Sequence, residues 1–235
     1  MTIRSIIAPL LGLALLVATH ATLATPPAAF TAKYKVLRDG SPMGEATITL
    51  HAGSNGQWVY NRDIEGTAGM AAMLGASTRE TSRFRWKDGI PEAISYDYVL
   101  NAAFKTKRRH LTVDWPAQKV SVDDGKDTQT YPSQAGMVER NTTALAVGVA
   151  LRDGQQQIDL PVAVKQRVET QSFKVTGQQT VQVPAGSFQT IRVERTDTDR
   201  GFDAWYAPDQ YPMPVKITQK DDGDLTMELV SYSTP

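Results

Sequence analysis

The sequence predicts a mainly β fold, an antiparallel sandwich or barrel, and three observations predict it. Apolar residues recur at every second position over much of the chain, the period of a strand with one buried face. Asp-Gly dipeptides punctuate these runs at Asp39-Gly40, Asp88-Gly89, Asp124-Gly125, Asp153-Gly154 and Asp222-Gly223. They suit type I′ hairpin turns, whose two central residues take positive φ. Only two stretches break the alternation. Short strands separated by turn signals are the pattern of antiparallel all-β domains.

The amino terminus precedes this pattern. Arg4 is followed by an apolar run from Ile6 to Val17 and by small residues up to Ala24. A cationic start, a short apolar run and a small-residue cleavage site describe a secretory signal peptide, so residues 1–24 are expected to be removed after Ala24. A membrane anchor would need about 20 consecutive apolar residues, and Pro9 and Gly12 interrupt this one, so no transmembrane segment is expected after cleavage. Residues 25–235 are then a single antiparallel β domain. No cysteine follows the apolar run to carry a lipid, which predicts a free periplasmic or secreted protein.

The strands follow in order. Ala32, Tyr34 and Val36 alternate with Thr31, Lys33 and Lys35; after Asp39-Gly40, Ala46, Ile48 and Leu50 alternate with Glu45, Thr47 and Thr49. Gly53-Ser54-Asn55-Gly56 is a turn cluster, and Trp58 and Tyr60 begin the next run. The first break, Gly66–Thr78, has no charge; Met70, Met73 and Leu74 are neighbours if it is helical, either as a plug in the interior or as a mobile lid over it. The second, Asn141 to Arg152, reads as a helix with Asn141 or Thr142 as its cap and Asp153-Gly154 as its end. Leu145, Val149 and Leu151 cover much of its circumference, which predicts burial against the sheet or closure of one barrel end.

Composition excludes more than it selects. The chain of 235 residues has 25 Lys plus Arg, 25 Asp plus Glu and no cysteine. Without cysteine there are no disulfides, thiolate zinc sites or cysteine nucleophiles. Near-neutral charge gives no steering field for a polyanion, so no nucleic-acid partner is expected. His51 and His110 fall in separate strands and lack companion ligands, so neither a metal nor another cofactor is expected. No phosphate-binding loop or nucleophile elbow is present. Asp221-Asp222-Gly223-Asp224 lacks the spacing of a calcium loop and reads as a hairpin turn. Two acidic groups, Asp197, Asp199 and Asp203, and Asp63, Glu65 and Glu80, leave a carboxylate-based glycan hydrolase open. Lys105, Lys107, Arg108 and Arg109 form a basic patch that fits either anionic headgroups or a solvated strand edge that resists strand addition.

The last third carries a resemblance. Val183-Pro184-Ala185-Gly186-Ser187-Phe188 reads as a hairpin continued by Ile191 and Val193. Trp205-Tyr206-Ala207-Pro208-Asp209 then leads through Pro212 and Pro214 to Val215-Lys216-Ile217, and Leu225, Met227 and Leu229 share one face of a final strand. This order resembles the bacterial secreted family called domain of unknown function 3108, over nearly the whole mature chain. That family brings no established activity, so no catalytic residue is carried over. The pattern from Trp205 to Ile217 is also similar to the late strands of periplasmic lipoprotein carriers, which fold as half-open barrels over an apolar cavity. This second resemblance favours a barrel over a sandwich, giving an antiparallel closed or half-open β-barrel with one or two short helices capping or plugging it.

The resulting expectation is a non-catalytic binding or chaperone-like protein for a lipid, a lipoprotein or another envelope component. Met70, Met73 and Leu74 would stand at the mouth, and Trp58, Trp86, Trp115 and Trp205 would line the wall if they are not simply core. An interaction module with a filled core is the alternative, with an envelope protein as its partner.

Overall fold

The structure is a computed structural model describing residues 25–199, 201–220 and 223–235. The expected leader at 1–24 and the Asp221-Asp222 pair lie outside the described residues. A first antiparallel meander runs through β1 (Phe30–Arg38), β2 (Ser41–Ala52), β3 (Trp58–Gly66), β4 (Ser77–Lys87), β5 (Ile90–Ala102), β6 (Lys105–Asp114), β7 (Lys119–Asp123) and β8 (Thr128–Pro132). A second runs through β9 (Val138–Glu139), β10 (Gln157–Ala163), β11 (Val168–Val183), β12 (Gly186–Arg195), β13 (Phe202–Tyr206), β14 (Pro214–Lys220) and β15 (Asp224–Ser233). Only β9 and β10 pair in parallel. The β1–β15 ladder joins the meanders into one fifteen-stranded sheet with β8 and β9 at its ends. Helix α1 (Gly69–Met73) connects β3 to β4, and α2 (Thr143–Arg152) connects β9 to β10.

The two end strands are consecutive in sequence, so the chain itself crosses the seam between them. Around the seam, the Ala93 N–H donates to the Met137 carbonyl at 3.0 Å and the Trp115 indole donates to the Ala93 carbonyl at 3.0 Å. The Tyr131 hydroxyl donates to the Val164 carbonyl, and Lys165 pairs with Asp124. A cluster of Tyr96, Leu111, Val120, Val122, Tyr131, Met137 and Ala163 fills the space behind. Among the described residues no ladder joins β8 to β9. The barrel is therefore half-open, held across its seam by side chains and single backbone bonds.

The alternation places side chains as expected. Ala32, Tyr34, Val36, Ala46, Ile48, Leu50, Met227 and Leu229 are buried, and all belong to one core cluster. Helix α2 lies within the curl, with eight of its ten residues buried. Leu145 packs into the cluster that β1–β4 share with β11, β12, β14 and β15, whereas Ala146, Val147, Ala150 and Leu151 pack into that of β10–β13. Its fit requires Gly148, since a Cβ there would stand 1.9 Å from the Pro212 carbonyl oxygen. The Tyr206 hydroxyl donates to the Ala144 carbonyl at 3.0 Å, on the same face one turn earlier, where its ring also lies 3.3 Å from the Gly148 Cβ position.

Several local expectations need correction. Asp39-Gly40 and Asp88-Gly89 take the paired positive φ of a type I′ turn (50° and 76°; 52° and 77°). Asp124 does not; its carboxylate instead accepts the N–H groups of Lys126 and Asp127, a local side-chain turn that competes with the hairpin form. Asp153-Gly154 closes α2, with only Gly154 at positive φ. No side-chain cap bond is made by Thr142, the first half-turn residue of α2; the Glu139 carboxylate accepts the N–H groups of Asn141 and Thr142 at 2.8 and 3.0 Å. The segment Gly66–Thr78 is not a plug. None of the residues of α1 is buried, because α2 already occupies the interior, and α1 caps the strand ends through bonds from Thr67 and Ala68 to the Met43 carbonyl.

Candidate functional site

Strand register arranges the inner face of β3–β6 in three rows. The deepest is Tyr60, Ser82, Tyr96 and Leu111, all buried. Two residues nearer α1 lie Arg62, Glu80, Tyr98 and Arg109, and two further lie Ile64, Thr78, Leu100 and Lys107. Burial falls along this series until Lys107 is exposed. The inner face thus becomes more exposed toward the α1 end, where Arg109 and Lys107 of β6 are its successive cations.

A polar node closes the floor. Arg62 pairs with Glu80, which is 2% exposed, and the Tyr96 hydroxyl donates to Glu80 Oε2 at 2.6 Å. Burial works to raise the Glu80 carboxyl, but Arg62 and the Tyr96 bond prevail and hold it below the ordinary carboxylate range. Glu139, 1% exposed, is pushed up by burial despite bonds from Ser82 and the α2 entry, and Glu80 adds to the rise. Asn141 Nδ2 donates to Ser82 Oγ at 2.8 Å, while Asn141 Oδ1 is buried with no hydrogen-bond partner. Both carboxylates are sealed from a polymer chain. Of the other residues in the two acidic groups, Asp63 pairs with Arg79, Asp197 with Arg195 and Asp203 with Arg192, while Glu65 and Asp199 are exposed. Among the described residues no group of three or more His, Asp and Glu is placed to hold a metal ion.

The rim at the α1 end is apolar and exposed. Met70, Met73 and Leu74 are 64%, 79% and 42% exposed. The Ala103 N–H donates to the Leu74 carbonyl at 2.7 Å, which brings the β5–β6 turn and the fully exposed Phe104 beside α1. Lys105, Lys107 and Arg108 follow, all exposed, and Arg109 is half-buried with its Nε lacking a partner. β7 pairs with β6 only over His110–Asp114, so the basic run is an uncovered strand edge.

The four tryptophans do not join this rim. Trp58 and Trp86 meet edge to face at 6.4 Å, with Phe84 5.0 Å from Trp86. They occupy the ends of β3 and β4 away from α1, about 25 Å off along the strand. Trp115 sits at the seam, with Arg85 over its ring at 5.6 Å. Trp205 falls between Arg192 and Lys216, whose cations lie 5.8 and 5.7 Å from its ring. All four are half-buried. Sequence reasoning missed Phe104 and Glu139. Phe104 stands beside the basic run, and Glu139 stands three residues before Thr142 at the helix entry; those were the only signals.

A family model described as "Protein of unknown function (DUF3108)" matches residues 29–230. No curated protein matches the chain. It is similar to the crystal structure of a β-barrel-like protein of domain of unknown function DUF1849 from Brucella abortus, with 15% identity, 89% of this chain and 99% of that chain covered, and a TM-score of 0.53. It is also similar to a Bacteroides fragilis protein with a YmcC-like fold, with 12% identity, 88% and 97% coverage and a TM-score of 0.35. The first likeness shows a β-barrel-like fold.

Proposed function

The chain belongs to the DUF3108 family of proteins of unknown function, and on that premise we propose that it is a non-catalytic binding protein for an apolar component of the cell envelope. Residues 1–24 would direct export, and 25–235 would act as one domain in the periplasm. No helix among the described residues is long and apolar enough to cross a membrane. The observation that carries the reading is the exposed rim of Met70, Met73 and Leu74 at the α1 end of the half-barrel. Methionine adapts to irregular apolar shapes, and each methylene removed from water contributes about 0.8 kcal/mol. The tryptophans serve the walls and the seam in this reading, and the ligand is taken at the rim.

Native mass spectrometry of protein purified without detergent tests the proposal. Retained lipid is expected, together with fluorescence of a hydrophobic probe that falls in Met70→Ser/Met73→Ser. Protein that carries no lipid and leaves the probe dark would overturn it. The burial of α2 inside the curl favours a second reading, an interaction module with a filled core. That reading expects a protein partner in pull-downs and no bound lipid.

A further inference from the structure

We propose that the α1 rim and the basic run beside it form a docking surface for an anionic phospholipid bilayer. This rests on the binding reading above and names its partner. Of the five exposed large apolar side chains among the described residues, Met70, Met73, Leu74 and Phe104 gather on two turns tied by the Ala103–Leu74 backbone bond. Exposed apolar residues scattered singly need no explanation, whereas a contiguous group marks an interaction surface.

Charge selects the partner. Several cations on the sheet have carboxylate partners: Lys35 and Lys216 on Glu228, Arg85 and Lys87 on Glu92, and Arg192 on Asp203. Among the described residues Lys105, Lys107 and Arg108 have none, and they begin immediately after Phe104. Glu65, the carboxylate nearest α1 along the chain, alternates with inward-facing Ile64 and so lies on the outer face, opposite Lys105 and Lys107. An apolar tip followed by unpaired cations matches a bilayer surface, where side chains enter the acyl boundary and ammonium groups meet phosphates. The missing β7 partner leaves this stretch of β6 open to such a surface.

The test is flotation of the protein with vesicles of phosphatidylcholine alone or mixed with phosphatidylglycerol. The chain is expressed in full and recovered from the envelope, so that all variants share one amino terminus. Binding is expected to the anionic vesicles only, and to be lost between about 0.05 M and about 0.5 M salt. Lys105→Glu/Lys107→Glu should weaken it by about tenfold or more, and Phe104→Ser/Met73→Ser by about tenfold. Lys119→Glu/Lys126→Glu, an equal charge change on exposed sites of β7 and its turn, should leave it unchanged. Equal binding to neutral vesicles, no flotation, or indifference to the Lys105/Lys107 reversal would overturn the proposal. Probe and lipid binding that persist in those cases leave the binding reading standing; their absence removes both.

Discussion

Glu80 and Glu139 share one buried neighbourhood and are pushed in opposite directions, so they act oppositely on stability. Glu80 is depressed below its ordinary 4.5, and the stability it contributes is present above that value and lost as pH falls through the depressed one. Glu139 is raised, so the folded state holds its proton more tightly than the unfolded chain. Its effect is a loss of stability as pH climbs from 4.5 through the elevated value. Glu139→Gln is expected to remove that decline, read from urea midpoints between about pH 4 and pH 8. A variant as pH-dependent as the parent would refute the assignment. The two carboxylates were unequally legible. Glu80 was visible as one of several acids, but nothing local told it from Asp63 or Glu65; only the register opposite Arg62 did.

At the scale of elements, α2 shows how far local pattern reaches. Its position and its glycine stop were readable because apolar side chains and a positive φ are local requirements. Its entry was not, since the N–H groups there are taken by a carboxylate from the preceding strand, Glu139. Gly148 makes the same point. In an exposed helix Gly→Ala gains about 1 kcal/mol, yet here the Cβ would collide with the Pro212 carbonyl. Gly148→Ala is therefore expected to destabilise by about 1–3 kcal/mol, measured by urea unfolding; a stabilised variant would show that the Pro212 loop yields freely. Helix α1 failed as a plug for a reason outside its own residues, because the interior was already filled.

For the whole molecule the seam is decisive. Successive hairpins built both meanders, but the closure depends on contacts between residues far apart, such as Tyr131 with Val164 and Lys165 with Asp124, whose carboxyl is held at about 2 chiefly by that lysine. Tyr131→Phe is expected to cost about 1 kcal/mol. It should also speed amide exchange in β7 and β8 while leaving β1–β4 protected, as read by hydrogen exchange. Uniform acceleration across the sheet would mean that the seam and the core open together. The docking surface belongs to this scale as well, because it exists only where two turns from separate hairpins meet.

The sequence by itself determined the β class, the faces of the strands, the two tight Asp-Gly hairpins and the buried helix, since each depends on periodicity or backbone conformation within a few residues. It also carried the family resemblance. Only the tertiary structure decided which strands end the sheet, that α2 rather than α1 fills the curl, and that the turn carrying Phe104 is bonded to Leu74 at the end of α1. Those outcomes depend on volume and register between distant segments: a space holds one helix, and a strand edge stays open where its neighbour stops. No local pattern encodes either.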